Sequence, residues 1–205
     1  MSVADRRAEQ GRGAAIELMK SVNEKLDDSL RDRIERAIRI VPDFPLAHMR
    51  FRDITPILEA DPALYCAIID RLAQQYRSDP PDCLVCIESF GYVFGAPLAY
   101  LLGIRLVLAR RQGKLPREKI QQDYVMCYAS NKSLEIHGDS IRAGDRALIV
   151  DDVLASGGSA LAAVQLVERA GGVCVGVACV ADMPDGPFRP EIERRGIPIF
   201  ALARL

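Results

Sequence analysis

The chain has 205 residues, 49% of them hydrophobic and 27% charged, and its 27 Lys+Arg against 28 Asp+Glu leave a net charge of -1. That length suits one generous domain or two very small ones, with enough apolar content to bury a core without disulfide or metal staples. The balanced charge excludes the electrostatic footprint of a dedicated nucleic-acid binder and the composition of an acidic disordered chain.

Residues 1–13 are polar and mixed in charge, with no apolar stretch behind a basic start, and no apolar run reaches the roughly 18 residues of a membrane helix. The expectation is a soluble cytoplasmic protein with no nucleic-acid or membrane partner. From Ala14 to about Arg39, Leu18, Val22, Leu26, Leu30, Ile34 and Ile38 recur every four residues, the pattern of one amphipathic helix. The segment VPDFP over 41–45 ends it, because proline disfavours helix in the residue before it. Asp61-Pro62 places a capping aspartate and a first-turn proline at the start of a second helix running to about Arg77. Residues 1–40 are thus expected to form an arm and helix, and 41–205 the main domain.

From Cys83 onward the pattern alternates between strands and helices. Strands are expected at Cys83–Glu88, Arg105–Ala109, Ala147–Val150, Val173–Ala181 and Ile197–Leu202. Helices are expected at Tyr92–Leu102, closed by Gly103, and at Ser159–Ala170, broken by Gly171 and Gly172. The polar stretch 112–122 reads as irregular, and Tyr124–Ala129 with Ser133–His137 as a two-stranded excursion. Apolar strands separated by helices imply an α/β fold, a mostly parallel sheet with helices on both faces. Of the six cysteines, Cys83 and Cys86 have the C-x-x-C spacing, but they sit inside an apolar strand with no second pair to complete a metal site. They read as buried strand thiols.

The chemistry concentrates in ALIVDDVLASGGS over 147–159. An apolar strand runs into Asp151 and Asp152, a loop of small residues follows, and a helix begins. Ligands of open α/β sheets bind beyond the carboxyl ends of the strands. The loop residues Ala155, Ser156, Gly157 and Gly158 allow backbone N–H groups to approach a phosphate, and the helix N-terminus and the hydroxyls of Ser156 and Ser159 add to the attraction. Two carboxylates beside a phosphate site suit a sugar phosphate, with the acids accepting from ribose hydroxyls. Competing nucleotide motifs fail: Leu108 stands where a Walker glycine would precede Gly113-Lys114, and no G-x-G-x-x-G follows a strand.

The segment VDDVLASGGS over 150–159 resembles the phosphoribosyl pyrophosphate (PRPP) signature of type I phosphoribosyltransferases. PDFP over 42–45 with FRDITP over 51–56, and RRQGKLP over 110–116, are similar to segments of the adenine phosphoribosyltransferases, and the likeness runs from about Val41 to Leu202. The resemblance implies transfer of 5-phosphoribose from PRPP to a purine, adenine above all, giving AMP and pyrophosphate in purine salvage. It implies a small hood, a mobile flap over about Gly113–Ala129, and a homodimer. By it, Asp151 and Asp152 hold the ribose hydroxyls and Ala155–Ser159 the 5-phosphate. Glu88, Ser89, Arg110, Arg111 and the catalytic Lys114 face pyrophosphate, while Phe51, Arg52 and Leu154 contact the base. Mg²⁺ enters through PRPP, with no direct protein metal ligand. The chain departs from the family at Phe90, where an arginine is usual, and at Cys127, where a glutamate is usual, so the base and pyrophosphate side is expected to be altered. A phosphoribosyltransferase for another base such as xanthine, and a non-catalytic PRPP or nucleotide sensor, are the alternatives.

Overall fold

Apolar strands covered on both faces organise residues 27–126 and 129–205, which the computed structural model describes. A helix, α1, occupies 27–37. Two short strands, β1 (Arg39–Pro42) and β2 (Arg50–Asp53), pair antiparallel in a small sheet of their own. Then come α2 (Thr55–Ala60), α3 (Pro62–Tyr76), β3 (Cys83–Ile87), α4 (Phe90–Leu102) and β4 (Arg105–Arg111). The hairpin β5 (Lys119–Met126) and β6 (Ala129–His137) precedes β7 (Arg146–Leu154), α5 (Gly158–Arg169), β8 (Val173–Asp182), α6 (Arg189–Arg194) and β9 (Ile199–Arg204).

The main sheet has seven strands in the order β5-β6-β4-β3-β7-β8-β9. The run β4-β3-β7-β8-β9 is parallel, and β6 and β5 extend it antiparallel at one edge. The chain leaves β3 toward β4, then returns to the other side of β3 as β7. Strand order therefore reverses between β3 and β7, where such sheets open a crevice at their carboxyl ends.

Alternate residues of each strand face opposite sides, and the core divides accordingly. Leu84, Cys86, Leu148 and Val150 pack with Ile34 of α1, Ile68 and Leu72 of α3, and Phe94 and Leu98 of α4. Val85, Ile87, Ile149 and Cys179 face the other way, onto Ala160, Ala163, Val164 and Val167 of α5. Helix α4 lies unusually close to β7. A Cβ added to Gly91 would stand 2.5 Å from the Val150 carbonyl oxygen, so only glycine allows this approach.

The mostly parallel α/β sheet with helices on both faces follows the sequence reading, and so do the Asp61 cap, whose carboxylate accepts from the Leu64 N–H at 2.8 Å, and α3 behind it. Other boundaries move. The first helix ends at residue 37, and the part predicted over 14–26 lies outside the described residues. Strands β4, β7 and β9 extend to Arg111, Leu154 and Arg204, and β5 begins at Lys119, inside the stretch read as irregular. Sheet pairing sustains these ends, whose charged residues interrupt the apolar signal. Helices α2 and α6 span six residues each, too short for a hydrophobic period to register.

The tight α4–β7 contact carries a prediction. Gly91→Ala should lower stability by about 1–3 kcal/mol, because its methyl group meets backbone that cannot rotate away; a urea unfolding midpoint unchanged from wild type would contradict it.

Candidate active site

The carboxyl ends of β4, β3 and β7 meet at the switch point, and the residues singled out in the sequence gather there. Glu88 and Ser89 follow β3, joined by a cis peptide bond, and Ser89 precedes α4. Arg110 and Arg111 end β4. Asp151 and Asp152 lie in the last residues of β7, still paired with β8.

Asp151 is 7% exposed. Its carboxylate accepts from the Asp152 N–H at 3.0 Å and from the Ser159 hydroxyl at 3.4 Å. Burial, and then the charge of Asp152, push its carboxyl well above the usual range, and burial raises Asp152 as well. Two carboxylates desolvated side by side suit neutral hydroxyl donors or a nearby cation, and resist ionising together. After β7 the chain turns through 155–157, with Gly157 at φ +82° admitting the left-handed turn that starts α5. The N-cap Gly157 has no side chain to cap α5, and the Gly158 N–H reaches the Ser156 hydroxyl at 3.3 Å, which leaves at the loop a helix N-terminus of the kind that attracts phosphate.

A feature absent from the sequence reading braces this loop from behind. Met183 N–H donates to the Leu154 carbonyl at 2.9 Å, and Phe188 N–H to the Ser156 carbonyl at 3.0 Å. Gly186 backs onto the Ala155 carbonyl so closely that a Cβ there would clash. The segment is tied down by Arg189, whose guanidinium pairs with the buried Asp182 at the end of β8. Only a positional signal, acid at a strand end and arginine seven residues on, could have hinted at it.

On the other side of the crevice Glu88 accepts from Arg110 Nε at 3.2 Å and from the Arg111 N–H at 3.0 Å. The Arg110 guanidinium also donates to the Lys114 carbonyl at 3.3 Å. The side chains of Arg111 and Lys114 are exposed. Tyr92, one turn into α4, donates its hydroxyl to the Ala109 carbonyl at 3.0 Å, and burial raises its pKa to about 12.

The residues predicted to meet a base are less united. Phe51 and Arg52 stand on the hood strand β2, outside the main sheet. Phe51 is exposed and packs edge-on against Phe44, ring centres 5.2 Å apart. Arg52 donates to the Arg50 carbonyl at 2.7 Å. Leu154 is 2% exposed and packs into the α5 core, so it backs the loop instead of facing solvent. Phe90 is half-buried against the α3–α4 core. Cys127 lies outside the described residues. Cys83 and Cys86 are buried in β3, where desolvation raises the Cys83 pKa to about 11 and Cys86 further. Thiols held protonated in this way are neither ligands nor nucleophiles at neutral pH.

A crevice with an acidic pair, a braced small-residue loop leading into a helix N-terminus, and a basic loop opposite has a family to match. Residues 57–199 fit the model of the phosphoribosyl transferase domain. An adenine phosphoribosyltransferase of Roseiflexus castenholzii is 49% identical over 146 residues, 71% of this chain and 84% of the relative. The chain belongs to the adenine phosphoribosyltransferase family. Solved members share its fold. The enzyme of Thermoanaerobacter pseudethanolicus superposes with a TM-score of 0.79 at 37% identity, covering 85% of this chain and 99% of that one. That of Giardia lamblia, solved with 9-deazaadenine, gives 0.78 at 30% identity over 84% and 96%. This protein is accordingly an enzyme of the phosphoribosyltransferase class, and among its described residues no helix is long and apolar enough to cross a membrane.

The raised carboxyl pKa values of this family member make its stability depend on pH. Between the unfolded value of 3.8 and the raised native values the folded state binds more protons than the unfolded chain. The pair therefore favours folding at low pH, and that contribution is lost as pH rises through the native pKa values. Asp151→Asn/Asp152→Asn should melt higher than wild type at pH 8 without ligand, with the gap narrowing toward pH 4. Differential scanning calorimetry at the two pH values checks it, and a lower melting temperature at pH 8 would count against a strained pair.

Proposed function

We propose that the protein transfers 5-phosphoribose from PRPP to N9 of adenine, forming AMP and releasing pyrophosphate. The C1′–O bond to pyrophosphate breaks, the C1′–N9 bond forms, and the N9 proton leaves. The observation that carries the reading is the desolvated Asp151–Asp152 pair, placed by β7 immediately before a loop that ends in a helix N-terminus. A 5-phosphate fits the loop Ala155–Ser159, and ribose hydroxyls donate to the carboxylates. Family members whose names specify adenine, and one solved with an adenine analogue, favour adenine over other bases.

The transition state of such a transfer gathers positive charge on the ribose ring, so the residues act by positioning and electrostatics. Asp151 and Asp152 orient the ring and offset that charge. Arg111 and Lys114 neutralise the departing pyrophosphate, beside Glu88 and Ser89, with Arg110 held between Glu88 and the Lys114 carbonyl. Phe51 offers a ring face to the base, Arg52 lies beside it, and Leu154 supports the loop from the core.

Mg²⁺ fits this donor set. The paired carboxylates of Asp151 and Asp152 beside the phosphate loop are oxygen donors, the kind Mg²⁺ takes together with phosphate and water oxygens. Bound with PRPP, the ion would screen the pyrophosphate oxygens, and Asp151 and Asp152 would be the carboxylates able to share it with the ribose hydroxyls. The proposal extends to a cytoplasmic homodimer, and to one globular unit in which 1–40 form an N-terminal arm and helix, packed through Ile34 onto the phosphoribosyltransferase domain of 41–205.

Pyrophosphate release measured with PRPP and Mg²⁺ against adenine, hypoxanthine, guanine and xanthine tests the assignment. Turnover with adenine and none with the oxopurines is expected. Turnover with an oxopurine instead would replace the base assignment, and silence with all four despite PRPP binding would overturn catalysis.

A further inference from the structure

The basic loop after β4 is anchored by a carboxylate that none of the chemistry above uses. Glu135 sits in β6, directly across from Arg110 in the antiparallel β4–β6 pairing. Its side chain is 1% exposed. The same oxygen, Oε2, accepts from the Gly113 N–H at 3.0 Å and pairs with Lys119 Nζ at 3.1 Å. A carboxylate withdrawn this far from water is tolerable only with such partners, and one of the two is the backbone of the loop itself.

The rest of the loop is held in the same sense. Glu88 takes the Arg111 N–H, and the Ser133 carbonyl accepts from the Gln112 N–H at 3.2 Å. Successive amides of Arg111, Gln112 and Gly113 therefore point into the protein, the first onto Glu88 just after β3 and the next two onto β6. Amides that serve as anchors are not available to a phosphate, so over 111–113 the loop meets an anion through side chains and not through backbone. Arg110 is already engaged by Glu88, which leaves the exposed Arg111 and Lys114. Glu135 fixes the turn between these two cations.

We propose that Glu135 is a positioning residue for pyrophosphate, setting the loop 110–114 so that Arg111 and Lys114 present their charges together at the β3–β4 end of the crevice. This rests on the PRPP-dependent reading above. Glu135 touches no substrate, and its effect passes through the Gly113 amide. Lys119 neutralises it from the first residue of β5, which ties the loop to the base of the hairpin.

The test uses the full-length protein and three readouts: PRPP affinity by calorimetry with Mg²⁺, the KM for adenine, and hydrogen exchange of the peptide over 110–116. Glu135→Ala is expected to weaken PRPP binding roughly tenfold, the loss of one charge-assisted bond. It should leave the adenine KM within twofold and speed exchange at the loop amides. Glu135→Gln, which keeps an acceptor for Gly113, should recover most of the affinity. If Glu135→Ala fails to fold because it strands Lys119, then Glu135→Leu/Lys119→Met, which removes both charges together, carries the same expectations. PRPP affinity within twofold of wild type in a folded variant would overturn the role of Glu135 alone. A loss of PRPP affinity matched by an equal fold rise in the adenine KM would reduce it to a structural residue. Wild-type protein that binds no PRPP would overturn the functional reading and this role with it.

Discussion

Helix α4 rests on β7 with no side chain between them at Gly91, and the geometry of the crevice depends on that approach. The helix starts where β3 ends, so pressing it onto β7 brings the Glu88–Ser89 segment toward the strand that carries Asp151 and Asp152. A larger residue at 91 would lift the N-terminus of α4 and part the two sides of the site. β7 in turn cannot yield, because Ala147 through Val150 are buried and hydrogen-bonded to β3 on one side and β8 on the other.

The two banks of the crevice are electrostatic opposites. On the β7 bank, carboxylates are desolvated beside one another, a condition that a ligand's hydroxyls and an accompanying cation would relieve. On the β4 bank, cations stand exposed on a backbone held by Glu88 and Glu135. A ligand with a hydroxylated ring at one end and a strongly anionic group at the other satisfies both. The bracing is also symmetrical in kind: the phosphate loop is backed by the segment that Arg189 pins to Asp182, as the basic loop is backed by Glu135. In each case a buried carboxylate outside the site fixes backbone that lines it.

Legibility in the sequence varied with the physics behind each element. Strands buried on both faces announced themselves as apolar runs, and α3 by its aspartate and proline. The acidic pair and its loop were readable because their chemistry needs adjacent residues. Elements that owe their form to partners were not. The last residues of β4 are arginines, extended because β6 pairs with them. Leu154 read, from the resemblance, as a base contact, yet it packs among the residues of the α5 core. Arg110 read, from the resemblance, as facing pyrophosphate, whereas Glu88, 22 positions earlier, already holds it.

The sequence by itself determined the parallel core strands, the helices α3, α4 and α5, and the family, because periodicity and contiguous motifs are local properties of the chain. Tertiary structure alone decided which charges are spoken for. Glu88 with Arg110, Glu135 with Gly113 and Lys119, and Asp182 with Arg189 join residues that the fold, not the spacing, makes neighbours. A buried carboxylate must find its partner wherever the packing delivers one, and that partner decides whether a nearby cation is left to meet a ligand.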